Sequence, residues 1–297
     1  MDALIEFENW KKSKILRIND FILSKVNTTI DIPDDLLQPM NYVFNNGGKR
    51  IRPQLVYAAG EIYDIDEKVL DHVAASIELI HTYSLIHDDL PCIDNDDTRR
   101  GKPSLHKAFS DGIAVITGDA IHDLAYEILL SISQFSDLLG SDRVIDAIKV
   151  LNQVSGPRGM VGGQCIDMTQ SFDGSLSEIT HMYELKTGGL IYASIVIPML
   201  LSNTQHPIPE LSQLAKKIGF LFQLRDDYLE LTVSAEELGK PIDSDLRNEK
   251  KTYGSIFGIE KLRELILTES SNCASILQAI NLEESHLANI LHDLDIR

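Results

Sequence analysis

The sequence predicts an all-α protein. Apolar residues recur at helical spacing through most of the chain, alternating or β-branched runs are few and short, and Gly- and Pro-bearing turns separate the helical stripes. Leu70, Val73, Ile77, Ile80, Ser84 and Asp88 fall on one helix face, and Leu211, Leu214, Ile218, Phe222 and Asp226 on another. Similar stripes cover residues 111–131, 141–155, 175–201 and 258–295. The breaks are Gly47-Gly48, Gly101-Lys102-Pro103, Gly156-Pro157 and Gly239-Lys240-Pro241. No internal repeat, low-complexity tract or linker longer than a loop divides the chain. Residues 1–297 are therefore expected to form a single domain of many helices.

Composition narrows the function classes. The 297 residues carry 27 Lys+Arg against 45 Asp+Glu, a net charge of −18 and a pI near 4.8. That field opposes a nucleic acid or an anionic membrane as partner, so any phosphate chemistry must rest on local cations or metal ions. Cys92, Cys165 and Cys273 form no close-spaced pair, which argues against a zinc cluster or a disulfide framework. The N-terminus MDALIEFENWKKSK reads as neither signal nor transit peptide. The apolar stretch Leu190–Leu201 is read as too short to span a bilayer, and it contains Pro198. A soluble, cytoplasmic protein without a stable membrane anchor is expected.

Both long stripes end in aspartate on their inward face, with a second acid beside it. Burying an ionised carboxylate without a partner is costly, so this conflict between pattern and charge marks a candidate site. The first cluster is Asp88-Asp89-Leu90-Pro91-Cys92-Ile93-Asp94. Pro91 disfavours helix at Leu90, so the helix should end near Asp89 and let Asp94 fold back toward Asp88. The second is Asp226-Asp227-Tyr228-Leu229-Glu230, where Asp226 and Glu230 share a face at i and i+4. Oxygen ligands without His or Cys favour a hard cation, above all Mg²⁺ shared with substrate phosphates. A solvated acidic helix end is the other reading of either cluster alone.

Gly47-Gly48-Lys49-Arg50-Ile51-Arg52-Pro53 is the densest basic feature. Pro53 suits the first helical position with Arg52 at the cap, and the free N–H groups of a helix start favour an anion. This is a diphosphate cradle or a surface turn; it is not a Walker P-loop. Arg99-Arg100-Gly101-Lys102 directly follows the first acidic cluster and offers either ordinary ion pairs or bidentate phosphate contacts. His81, on the same face as Asp88, is a core residue or a ligand. Lys186-Thr187-Gly188-Gly189, Lys240 and Lys250-Lys251 supply further cations, which could equally be surface charge.

Taken together, the residues resemble the short-chain trans-prenyl diphosphate synthases of the polyprenyl synthetase family. GGKRIRP (47–53), ELIHTYSLIHDDLPCIDNDDTRRGKP (78–103), GDA (118–120), GMVGGQCIDM (159–168), KTGGL (186–190), FQLRDDYLE (222–230) and GKPIDSDLRNEKKTY (239–253) stand in the family's order. The resemblance implies an isoprenoid-synthase-type bundle of about ten or more helices around a deep central cavity, acting as a homodimer. It implies three Mg²⁺ ions on an allylic diphosphate, with Asp88, Asp94 and Asp226 as ligands and Asp89 supporting. Arg99, Lys186 and Lys240 would contact the allylic diphosphate. Lys49, Arg52, His81 and Arg100 would bind isopentenyl diphosphate. Thr187, Gln223 and the carbonyl of Lys186 would steady the allylic cation after diphosphate leaves. Glu230 departs from the family's usual aspartate, and His122 stands where an apolar residue is usual.

Residues four and five before Asp88 are Ser84 and Tyr83, about 6–7.5 Å down the helix axis at about 1.5 Å per residue. The longer first motif containing Pro91 and Cys92, with an aromatic residue at Tyr83, looks like the bacterial type that makes farnesyl diphosphate (C15). Tyr83 would then close the floor, while Ser84 leaves room; simple core packing is the other reading of Tyr83. The rival functions are a geranylgeranyl (C20) synthase, a terpene cyclase, and a non-catalytic scaffold or regulatory subunit of the same fold. A cyclase would lack GGKRIRP, and a scaffold usually loses aspartates from one motif. Tyr83→Ala is expected to lengthen the product to C20 or beyond, read by mass-resolved product analysis; unchanged C15 output would remove Tyr83 as the floor.

Overall fold

Helix α4 (Glu67–Asp88) is the axis of the molecule. Asp66 starts it by accepting the backbone N–H of Lys68 at 2.7 Å. Every residue from Val69 to Ile80 is buried, so α4 is enclosed on all sides, as its nearly continuous apolar sequence requires. The computed structural model describes residues 2–29, 31–171, 175–202, 209–232 and 251–294.

Before α4 lie α1 (Asp2–Thr28), α2 (Asp34–Phe44) and α3 (Ile51–Ile62). Arg17 of α1 forms two hydrogen bonds to Asp71, at 2.6 and 2.7 Å, and Tyr57 of α3 donates to the same carboxylate at 2.7 Å. These contacts fasten α1 and α3 to α4 and satisfy a buried charge. After α4 comes a two-residue antiparallel ladder, β1 (Thr98–Arg99) with β2 (Lys102–Pro103). Its turn residues Arg100 and Gly101 have φ of 55° and 75°, as a tight hairpin needs at both positions.

The chain continues through α5 (Leu105–Ala108) and α6 (Asp111–Leu130), which packs along α4. A 3₁₀ turn (Ser131–Phe135) leads to α7 (Ser136–Leu139), α8 (Ser141–Ser155) and α9 (Met160–Thr169). Then come α10 (Leu176–Tyr183), a π-helical turn (Glu184–Gly188), α11 (Gly189–Leu201) and α12 (Pro209–Thr232). The described chain closes with α13 (Tyr253–Phe257), α14 (Ile259–Ala279) and α15 (His286–Asp293). One apolar core gathers about α4, α6 and α8, and a second about α3, α11, α12 and α14.

The all-α expectation holds: among the described residues the only strand pair is the hairpin. Four features differ from the sequence reading. Helix α3 begins at Ile51 with Arg50 as its cap, so Pro53 is the third helical residue and Arg52 lies inside the helix. Proline is harmless there because the first-turn N–H groups have no intrahelical partner anyway. The 258–295 stripe is two helices, because the chain turns at Ile280–Asn281 and Ser285 caps a new start. The 175–201 stripe is helical from Leu176 but underwound by the π turn. Leu176–Leu201 is therefore 26 residues, long and apolar enough to cross a membrane by length and composition, contrary to the reading of Leu190–Leu201 alone. Two thirds of its most apolar window is buried against the protein's own helices, the environment of a core helix. The Gly239-Lys240-Pro241 break lies outside the described residues.

Helix α12 crosses the π turn at bare backbone. A Cβ added at Gly219 would lie 2.7 Å from the Gly188 Cα, whereas one added at exposed Gly112 would meet nothing within 4 Å. Gly219→Ala should destabilise the protein by about 1–3 kcal/mol through overpacking. Gly112→Ala should stabilise it by about 0.4–1 kcal/mol by restricting the unfolded chain. Denaturant titration of both variants checks the pair.

Candidate active site

The C-terminal end of α4 opens on a cavity of about 830 Å³. Helix α4 stops at Asp88, with Asp89 as its cap, and the Asp94 N–H donates back to the Asp88 carbonyl at 2.9 Å. The loop thus folds as Pro91 predicts, and Asp88 and Asp94 line one wall. Asp226 and Glu230 of α12 line the same cavity. Glu230 presents its carboxylate group on the face expected of it, one turn beyond Asp226.

In each Asp-Asp pair the second residue belongs to the wall. Asp89 is 3% exposed and accepts from Arg99 at 2.9 Å through Nε, with a second bond from Nη2. Burial pushes its carboxyl up to about 6, against the opposing pull of Arg99. Asp227 is equally buried and accepts from Tyr183 Oη, from Gln223 Nε2 at 3.1 Å and from the Tyr253 N–H at 3.2 Å. It thereby ties α12 to α10 and α13.

The cations meet the acids across this space. Lys49, Arg52, Arg99, Arg100 and Lys186 all line the cavity, as does His81. The 47–53 segment reaches it through unusual backbone: Gly47, Gly48 and Arg50 have φ of 71°, 139° and 50°. Gly48 packs on the Arg100 guanidinium, where an added Cβ would sit 2.6 Å from Cζ, and Arg100 donates to the Gly47 carbonyl. Arg50 also lines the cavity but is fastened there: it is paired with Glu78 at 2.8 Å and donates to Asn19 at 2.8 Å. Arg52 is buried beside Phe222, its guanidinium 5.8 Å from the ring centre. Burial lowers its affinity for a proton, partly offset by Glu78 and Asp226.

Lys186 sits in the π turn and donates to Asp167 at 2.6 Å. Thr187, from the same turn, donates to Gln223 at 2.7 Å, so these two dipoles form a pair on the cavity wall. Tyr83 and Ser84 line the cavity one turn from Asp88; Tyr83 is 8% exposed. Lys240 lies outside the described residues. His122 is half-buried, with its ring against Tyr83 and Tyr126.

Sequence reasoning missed the supporting partners. Glu78, Asp167 and Asp227 stood inside quoted motifs, but nothing local in the sequence distinguishes a carboxylate that holds a cation in the wall from one that faces a ligand. The π turn carried no signal either. Among the described residues no three His, Cys, Asp or Glu side chains converge into a ready cage for a metal ion. Oxygen donors spread over two walls fit Mg²⁺, which keeps waters and takes phosphate oxygens alongside one or two carboxylates.

A helical bundle that sets two acidic clusters and a ring of cations around one cavity is a receptacle for an anion held jointly by basic side chains and hard cations. The chain belongs to the polyprenyl synthetase family, whose pattern matches residues 33–283. It is 35% identical over 267 residues to a farnesyl diphosphate synthase of Bacillus subtilis, covering 89% of this chain and 90% of that one. It is 38% identical over 285 residues to the large subunit 1 of a chloroplastic heterodimeric geranylgeranyl pyrophosphate synthase of Arabidopsis thaliana, covering 91% and 76%. Its fold matches a geranyltransferase from Helicobacter pylori, solved in complex with magnesium and isoprenyl diphosphate, at a TM-score of 0.81 and 29% identity, covering 96% and 95%. The chain is thus a short-chain prenyl diphosphate synthase by family and fold.

His81 offers a titration test of the cavity. Burial, then the charges of Arg52, Arg100, Arg99 and Arg50, hold its imidazole well below its ordinary pKa of 6.5. The folded state therefore binds fewer protons than the unfolded state just below pH 6.5, and His81's contribution to stability is lost as pH falls from 6.5 toward the folded pKa. In an NMR titration the His81 ring should stay neutral at pH 6.5, and added inorganic pyrophosphate should raise its pKa by placing negative charge among those arginines.

Proposed function

We propose that this protein is a farnesyl diphosphate synthase. It would condense isopentenyl diphosphate head-to-tail with dimethylallyl and then geranyl diphosphate, giving a C15 product. The observation that carries this reading is the single cavity into which both acidic clusters, both sets of cations and Tyr83 project. A second reading, a C20 product, is favoured by the 38% identity to the Arabidopsis subunit. A non-catalytic scaffold is disfavoured because Asp88, Asp94 and Asp226 all face the cavity.

Asp88, Asp94 and Asp226 would hold Mg²⁺, which when bound supplies positive charge to the diphosphate leaving group. Arg99 and Lys186, with Lys240, would orient the allylic diphosphate so that its C–O bond breaks with charge already opposed on the phosphate side. Lys49, Arg52, Arg100 and the neutral His81 would bind the diphosphate of isopentenyl diphosphate. Thr187, Gln223 and the Lys186 carbonyl present dipoles where the allylic cation forms. The isopentenyl double bond attacks that carbon, a C–C bond forms, and the proton lost from the adjacent carbon passes to the departed diphosphate. Water must be kept from that cation, which it would quench. Tyr83, one turn below Asp88, would stop the growing tail.

The reading includes a cytoplasmic location, where the dispersed free cysteines fit a reducing compartment. It also includes a homodimer, supported by Val115, Ile116 and Leu130, exposed within one arc of α6.

Incubation of the protein with dimethylallyl or geranyl diphosphate, isopentenyl diphosphate and Mg²⁺ should release pyrophosphate and yield C15 as the main mass-resolved product. Chelation of the metal should abolish turnover, and Asp88→Asn or Asp226→Asn should lower it by about 100-fold or more. Absence of Mg²⁺-dependent condensation in the wild type would leave the scaffold reading; C20 as the first major product would replace C15.

A further inference from the structure

The wall at Tyr83 is two layers thick. The Tyr83 ring meets the His87 ring edge-on at 5.8 Å between centres and 80° between planes, and the His122 ring at 4.9 Å and 87°. His122 in turn meets Tyr126 at 5.2 Å and 61°. Tyr126 Oη lies 2.8 Å from Ser155 Oγ, which itself donates to the Leu151 carbonyl at 2.8 Å. A continuous series of contacts therefore runs from the cavity surface on α4, across α6, to α8. The cavity is lined by Tyr83 and His87 but not by His122 or Tyr126, which stand behind Tyr83.

The same helix grips the other neighbour of Tyr83. His87 packs against Gly118, where any side chain would collide with the imidazole, and its Nε2 lies 3.1 Å from the Val115 carbonyl. Helix α6 thus fixes both imidazoles that flank the tyrosine. A large aromatic side chain on a cavity wall can swing about its χ1 and χ2 unless its edges are held; rings set edge to face hold it by the match of positive edge to negative face. His122 supplies the closer of the two contacts, from a side chain that is 37% exposed and beside Asp123, at 3.3 Å from Nδ1 to Oδ1.

We propose that His122 is a specificity-determining positioning residue: it braces Tyr83 from behind and so sets the length at which the growing prenyl tail is stopped. The proposal rests on the reading of Tyr83 as the cavity floor. His122 acts through Tyr83 and does not touch the reacting atoms.

The test compares wild type, His122→Ala, His122→Phe, Tyr83→Ala and the double variant His122→Ala/Tyr83→Ala, each supplied with dimethylallyl diphosphate, isopentenyl diphosphate and Mg²⁺. Products are resolved by mass, and circular dichroism and size-exclusion chromatography report fold and assembly. His122→Ala should raise the ratio of C20 to C15 product by about 2- to 10-fold, the factor carried by one edge-to-face ring contact. His122→Phe keeps a ring and should hold the ratio near wild type. In the Tyr83→Ala background, His122→Ala should no longer change the C20 to C15 ratio, because the side chain it braces is gone; any gain there falls on products longer than C20, as the second layer opens. A ratio unchanged in His122→Ala, or a lower overall rate with no change in the ratio, overturns the proposal. So does a further rise of the C20 to C15 ratio in the double variant. A wild type that makes C20 sinks the C15 reading separately; a still longer product from His122→Ala then supports the brace, and an identical one overturns it. A wild type that condenses nothing sinks both.

Discussion

The site depends on the burial of one carboxylate in each Asp-Asp pair. A carboxylate removed from water costs several kcal/mol unless its oxygens are occupied, and the structure occupies them. Asp89 is held by Arg99, and Asp227 by Tyr183, Gln223 and the Tyr253 backbone. With those neighbours locked into the wall, Asp88 at the end of α4 and Asp226 inside α12 are left lining the cavity. Acids can be kept on facing walls of one space because each stands beside a separately satisfied partner, and like-charge repulsion across the space is relieved by the basic residues that line it.

The basic residues are divided the same way. Arg50 and Arg52 are separated by one residue and both line the cavity, yet Arg50 is paired with Glu78 and bonded to Asn19 while Arg52 lies beside Phe222. Arg50 joins the glycine-bearing segment to the middle of α4, the helix whose end carries Asp88. Glu78 therefore links the two anion-handling regions mechanically. On the far side, Lys186 is held by Asp167 within a π turn, where the ordinary helical hydrogen-bond pattern is interrupted. A chain with a net charge of −18 can thus maintain a locally cationic pocket, because Arg50, Arg99 and Lys186 are positioned by the buried acids Glu78, Asp89 and Asp167 rather than left to the overall field.

Much of this arrangement was legible in the residues. The Asp88 and Asp226 stripes gave the helices and their inward faces, Pro91 the end of α4, and Gly101 the turn that became the hairpin. The boundaries that moved were those where sequence signals compete. Pro53 fits several first-turn positions equally well, so it could not fix the start of α3. The apolar run through Leu176–Leu201 does not reveal whether lipid or protein surrounds it.

The sequence by itself determined which helices form, which residue types they present and that acids and cations recur in a diphosphate-binding order, because these follow from local periodicity and side-chain chemistry. Tertiary structure alone decided which member of each charged pair turns into the wall, that Lys186 lies in a π turn on Asp167, and that His122 backs Tyr83. Those outcomes depend on contacts between residues tens of positions apart, and no local pattern encodes which distant partner will satisfy a buried charge or hold a ring.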